Sequence, residues 1–293
     1  MADQAEKLRN IIKAQSQPRR QAARVITVTS GKGGVGKSNT AINLAIQFRK
    51  MKQRVIILDA DFGLANIEIM FGTVPKYNLY DLIYQGKNIK DIITWGPMEV
   101  GFISGGSGIV GMANLNKDYL NYIIQNLVEL DSMADVIIVD TGAGISDAVL
   151  EFLVASNEIL LVTTPEPTSI TDSYSLLKAL NRHSRFSPDY TSINVLANRV
   201  RNGEEGKMLY QKLNAVVTRY LSISAEYLGH VPQDDQLSKA VMQQMPVSIQ
   251  NPAAKSAMAY RGIAMKLMNE EEGSTKVKRG MMAFFSHIMT GRR

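Results

Sequence analysis

Residues 31–38 read GKGGVGKS, which fits the pattern G-x-x-x-x-G-K-[S/T]. That spacing suits one kind of chemistry. Glycines let successive backbone N–H groups curl around phosphate oxygens. A lysine at the end of the loop, Lys37, neutralises the β- and γ-phosphates of a nucleotide, and the hydroxyl beside it, Ser38, is a magnesium ligand. Gly33, Gly34, Val35 and Gly36 form the cradle between them. A helix beginning at Lys37 adds its own N-terminal partial positive charge. Lys32 is a second lysine on the opening side of the same loop, pointing away from the tightest part of the cradle. Acidic partners stand further along the chain. LDADFGLAN (58–66) holds Asp59 and Asp61 in a D-x-D pair, and VIIVD (136–140) is an apolar run that ends in Asp140.

These side chains need rigid elements to bring them together. Short β-branched runs at 24–29, 54–58, 100–103, 135–139, 158–163, 192–197 and, more weakly, 227–231 read as strands. Helix-period segments fall between them at about 37–52, 117–130, 146–155, 169–183, 205–220, 235–244 and 253–268. The strands are continuously apolar rather than alternating, which means a sheet covered on both faces. Strands separated by helices mean right-handed crossovers and a mostly parallel sheet. The fold class is therefore α/β, a doubly wound sheet with helices on both faces, its ligand at the carboxyl ends of the strands.

Charge and composition remove several classes. The chain has 293 residues and formal net charge +6, yet residues 1–24 carry six Lys/Arg against two Asp/Glu, and residues 274–293 carry five against none. The two ends together are +9, so the body between them is −3. A mildly acidic body argues against a nucleic-acid-binding fold surface. With no cysteine there is no disulfide framework, thiolate zinc site or iron–sulfur cluster. No apolar run is long enough to span a bilayer and no signal peptide opens the chain, so a cytoplasmic protein is expected.

KGGVGKS, with its extra lysine, resembles the deviant Walker A motif of the MinD/ParA-type ATPases. The resemblance implies a P-loop NTPase that binds ATP and Mg²⁺ at the interface of a sandwich homodimer. Lys32 would reach the partner's nucleotide in trans. By the same resemblance LDADFGLAN is switch I, with Asp61 orienting the attacking water and Asp59 holding Mg²⁺ through water. VIIVDTGAGIS (136–146) resembles Walker B and switch II, with Asp140 accepting from a magnesium-bound water and Gly142 and Gly144 allowing movement. Asn198 and Arg199 in ANRV, and Pro232 in VPQDD, match positions that the family places around adenine, although each also reads as a strand-terminating turn. The guanine-reading N-K-x-D sequence is absent, which favours ATP. Asn39 stands where the family commonly has a second Thr.

Both ends carry further signals. In the tail, KVKRGMMAFFSHIMTGRR (276–293), Met281, Phe284, Phe285, Ile288 and Met289 make one helical apolar stripe flanked by five cations. Such a helix suits an anionic membrane interface, worth roughly 1 kcal/mol per basic residue, and it can also dock on the protein's own body; both are expected, at different times. Two tails tethered in a dimer would bind with avidity, placing the protein peripherally on the inner face of the cell membrane when ATP is bound. At the front, Asp3 and Glu6 are spaced as a capping box. Asp3, Gln4, Ala5, Leu8 and Arg9 resemble the DQAxxLR motif of the FlhG-type (FleN/YlxH) regulators of flagellar number and placement. That resemblance implies two partners, the flagellar signal-recognition-type GTPase FlhF, which the arm would activate, and a cytoplasmic-ring (C-ring) component of the flagellar switch. The division is then 1–23 partner-binding arm, 24–270 ATPase domain, and 271–293 linker and amphipathic helix. Alternatives are a Min-type division-site ATPase, which leaves the arm unexplained, and a ParA-type DNA-partitioning ATPase, which the acidic body disfavours.

Overall fold

The apolar runs form eight strands: β1 (Arg24–Ser30), β2 (Val55–Ala60), β3 (Thr94–Trp95), β4 (Gly101–Ile103), β5 (Val136–Ala143), β6 (Glu158–Thr163), β7 (Ser192–Val200) and β8 (Glu226–Pro232). They make one sheet in the order β3-β4-β2-β5-β1-β6-β7-β8. Every neighbouring pair is parallel except β3 with β4 at the edge. These coordinates come from a computed structural model that describes residues 22–61, 66–106, 126–271 and 280–284.

The helices are α1 (Lys37–Lys50), α2 (Asn66–Phe71), α3 (Leu79–Tyr84), α4 (Leu130–Met133), α5 (Asp147–Ala155), α6 (Pro167–Arg182), α7 (Gly203–Tyr220), α8 (Asp235–Met242), α9 (Val247–Gln250) and α10 (Lys255–Glu271). Alternation along the central strands divides the core. Ile57 of β2 and Ile138 of β5 join α1 and α10 in one apolar cluster. Their neighbours Ile56, Leu58, Ile137 and Val139 point the other way, into a cluster with Leu79, Leu82 and Ile83 of α3 and Phe152 of α5. Both faces are thus covered, which is why β2 and β6 are buried at every residue.

Helix α1 runs through the middle and buries polar side chains along with apolar ones. Thr40, Asn43 and Gln47 lie on its inner face and find partners. Thr40 Oγ1 donates to the Gly36 carbonyl, Asn43 Oδ1 accepts from Ser248 N, and Gln47 Nε2 donates to Ser248 Oγ. Buried polar groups are tolerated where they are hydrogen-bonded in this way.

The expected strands and most expected helices are present, with ends shifted by a few residues. Three short helices, α2, α3 and α9, and the edge strand β3 were not anticipated. One of them, α3, has a readable start: Asn78 accepts from Tyr80 N, and the Asp81 carboxylate accepts from Asn78 N. Of the helix expected at 117–130, residues 117–125 lie outside the described part.

Candidate nucleotide-binding site

The phosphate loop connects β1 to α1 at the carboxyl edge of the sheet. Gly34 and Gly36 have φ of +76° and +96°, a region side-chain-bearing residues avoid. Gly31 is required for another reason: a Cβ there would lie 2.2 Å from the Asp172 carbonyl carbon of α6. The loop is therefore seated directly on that helix's backbone. Ser30 Oγ donates to the Lys32 carbonyl at 2.9 Å and closes the turn from the strand side.

Sheet register then delivers the acids. Asp59 and Asp140 are direct partners across β2 and β5, so both carboxylates stand at one edge, 2% and 0% exposed. Lys37 Nζ is 3.9 Å from Asp140 Oδ1 and is itself buried. Burial pushes the Asp59 carboxyl up to about 8, reinforced by the neighbouring Asp140 charge. Burial also raises Asp140, to about 6, against the opposing pull of Lys37 and the adjacent Ser38 hydroxyl. Asp61 is raised by burial and drawn back by Lys37. Its backbone N–H donates to Asp59 Oδ1, and its Oδ2 accepts from Asn66 Nδ2 at 3.3 Å. On its other side it approaches Gly142, where a Cβ would lie 3.5 Å from Asp61 Oδ1. The segments that follow β2 and end β5 meet at that contact.

Neither carboxylate oxygen of Asp140 accepts a hydrogen bond, although both are buried. A buried carboxylate that faces Lys37 at 3.9 Å but accepts no hydrogen bond fits a place behind a cation–phosphate pair. No group of three or more His, Cys, Asp or Glu side chains able to hold a metal occurs among the described residues. Mg²⁺ held here would take most of its ligands from nucleotide and water, with Ser38 as the protein hydroxyl and Asp59 and Asp140 behind it.

Lys37, Ser38, Asp59, Asp61 and Asp140 therefore converge as the sequence implied. Gly142 belongs to β5 itself, and the left-handed position that ends the strand is Gly144, at φ +86°. Asn39 offers its backbone carbonyl to Asn43 Nδ2.

Asn198 and Arg199, which the resemblance assigned to adenine, have other contacts in this structure. Asn198 Nδ2 donates to the Val35 carbonyl at 2.7 Å, and its Oδ1 accepts from Arg199 N. Both ends of the amide are thus engaged, one of them in holding the phosphate loop. Gly36 must be glycine for that contact, since a Cβ would sit 2.3 Å from Asn198 Nδ2. Arg199 is exposed with φ +57°, and Pro232 pairs with Val200 at the adjoining strand end.

Sequence reasoning missed Glu166 and Thr168. Lys32 Nζ donates to Glu166 Oε2 at 2.6 Å and to Thr168 Oγ1 at 2.9 Å. The signal was present as P-E-P at 165–167, a carboxylate between two residues of fixed φ.

At the opposite end of the sheet the tail is docked. Met281 and Phe284 are buried in the core with α3 and α5, so in this conformation two of the five stripe residues face the body and not a membrane. The Asp131 carboxylate accepts from Met281 N at 2.9 and 3.0 Å. Gly280 N donates to the Ala23 carbonyl. Phe285, Ile288 and Met289, and the arm residues Asp3, Gln4, Ala5, Leu8 and Arg9, lie outside the described residues.

Comparison with known proteins bears on the family and the fold. The family model described as ParA, a NUBPL iron-transfer P-loop NTPase, matches residues 21–268. The antiactivator FleN of Pseudomonas aeruginosa is 40% identical over 83% of this chain and 85% of its own length. The flagellum site-determining protein YlxH of Helicobacter pylori is 31% identical over 90% of this chain and 89% of its own. Among solved structures, the septum site-determining protein MinD of Pyrococcus horikoshii, complexed with Mg-ADP, superposes with a TM-score of 0.66 at 21% identity. That match spans 87% of this chain and 99% of the other, and at such identity it speaks for the fold.

Proposed function

Because the chain belongs to the ParA/MinD family of P-loop ATPases and to its FleN/YlxH-type branch, we propose that it is an ATP-driven switch that sets flagellar number or placement. It hydrolyses ATP with Mg²⁺, the activity of its family. The observation that carries the flagellar reading is the 40% identity to FleN along most of both chains. In cells of the source organism, loss of the chain should change the number or position of flagella. Restoration by the wild type but not by Lys37→Ala supports the switch; normal flagellation in the deletion strain refutes it.

In the nucleotide cycle Lys37 neutralises the terminal phosphates and Ser38 presents its hydroxyl to the metal. Bound Mg²⁺ would offset charge on the β- and γ-phosphates. Asp61 orients the attacking water from the end of β2. Lys32 crosses to the partner's nucleotide in a sandwich homodimer, so hydrolysis waits for a second subunit.

The membrane reading gains a mechanical route. Switch II, which follows Asp140, leads directly into α5, and Phe152 of α5 packs on Phe284 of the tail. Movement of switch II with the γ-phosphate would loosen that contact and free the stripe for an anionic bilayer. No helix among the described residues is long and apolar enough to cross a membrane, so this attachment is peripheral.

The arm would act separately, on the flagellar signal-recognition-type GTPase, and a C-ring component would be the second partner. A peptide of residues 1–24 titrated into that GTPase should speed GTP hydrolysis, with Gln4→Ala and Leu8→Ala peptides inactive. An inert wild-type peptide would remove the activator role.

A further inference from the structure

In the single chain Lys32 is already taken. Its ammonium donates to Glu166 Oε2 at 2.6 Å and to Thr168 Oγ1 at 2.9 Å, both on the segment that opens α6. That segment is held firmly. Glu166 immediately precedes Pro167, which disfavours the helical region for it and leaves the extended form observed, φ −59° and ψ 130°. Thr164 N donates to Ser169 Oγ, and α6 itself sits against Gly31 of the phosphate loop. Glu166 is thus presented from a restrained backbone beside the loop, and both side chains of the pair reach solvent. Lys32 and Arg199 both hold the Glu166 carboxyl below its ordinary range.

We infer that Glu166, aided by Thr168, is a positioning residue that parks Lys32 on its own subunit and so sets a threshold for ATP-dependent dimerisation. The inference rests on the trans-lysine reading, because a lysine that must reach a partner's phosphates has to leave Glu166 first. An ion pair this exposed, with side chains 36% and 56% accessible, changes an equilibrium only a few-fold. A symmetric dimer opens two of them, and the two factors multiply. The latch therefore raises the dimer dissociation constant by about tenfold, enough to keep the protein monomeric over a range of concentrations where an unlatched chain would pair.

The test uses the full chain with a slowly hydrolysed ATP analogue, its dimer dissociation constant measured by sedimentation. Glu166→Gln should lower that constant about tenfold. With ATP, the protein concentration giving half-maximal turnover should fall in parallel while the plateau rate per subunit stays at the wild-type value. A purely structural role would not separate these two readouts. Glu166→Asp, which keeps the charge, should lie near wild type. Unchanged or weaker dimerisation in Glu166→Gln overturns the latch. Lys32→Ala run alongside separates the two failures. Dimers that persist in Lys32→Ala refute the trans-lysine reading itself. Dimers lost in Lys32→Ala but unmoved by Glu166→Gln refute only the parking role.

Discussion

The ring of Phe284 packs against that of Phe152, with centroids 6.2 Å apart and planes tilted by 40°. One belongs to the carboxyl-terminal segment and the other to α5, the helix that switch II enters. This contact joins the nucleotide edge of the sheet to the tail through a single secondary-structure element.

Gly280→Ala tests that connection without removing an apolar tail residue. Gly280 has φ +99°, and a Cβ there would lie 2.7 Å from Asp131 Oδ2 and 2.8 Å from the Ala22 Cβ. The substitution should undock the tail, so protease cleavage between residues 271 and 280 should rise and liposome flotation should occur without nucleotide. Flotation that still requires ATP would show that docking does not restrain the tail. Phe284→Ala should cost up to about 3–5 kcal/mol if the segment stays in place, and less if it simply peels away; chemical denaturation measures which.

Nucleotide binding should be linked to pH. Asp59 and Asp140 are raised by burial, to about 8 and about 6, from an ordinary value of 3.8. A carboxyl raised in the folded state favours folding while it is protonated. That stability is full below about pH 4 and is lost as pH rises through 6 and then 8. The nucleotide-free protein should therefore melt at a falling temperature between pH 5 and 8, and Asp59→Asn should flatten the slope. Mg–ATP binding should release protons in the same window. Calorimetry in buffers of different ionisation enthalpy reads that release, and a heat independent of buffer would contradict it.

Asn198→Ala distinguishes loop support from base reading. Removing the amide leaves the Val35 carbonyl without its 2.7 Å partner, a loss of about 1–3 kcal/mol in loop order. If Asn198 acts through the loop, affinities for ATP and for inorganic triphosphate should fall by the same factor, about tenfold. A loss confined to ATP would return the residue to adenine recognition.

Asp61→Ala should keep ATP binding while turnover drops by about a hundredfold or more. Asp140→Ala should instead weaken nucleotide binding only when magnesium is present. Wild-type hydrolysis in either variant would remove the role assigned to it.

The local chemistry was readable because it is written in contiguous residues. The loop 31–38 fixes its own glycines, lysines and serine, and the apolar runs ending in Asp59 and Asp140 announce buried strands with acids at their tips. Those two acids are 81 positions apart, however, and only the β2–β5 register makes them neighbours. The same limit hid Glu166, which lies 134 residues from the lysine it holds. It also hid the second occupation of Asn198, whose partner is a backbone carbonyl with no side-chain signature.

The tail shows the boundary most plainly. Spacing alone made Met281 and Phe284 apolar stripe residues suited to membrane and core in turn, since both reward removal of the same surface from water. Tertiary structure chose the core for this conformation, because Asp131 and the Ala23 carbonyl satisfy the segment's backbone N–H groups where it meets the body. Sequence indicated the main strands and helices and the side chains proposed for the phosphate chemistry, because periodicity and loop motifs are local. Which distant groups meet was decided by sheet order, register and packing, which exist only once the chain has folded.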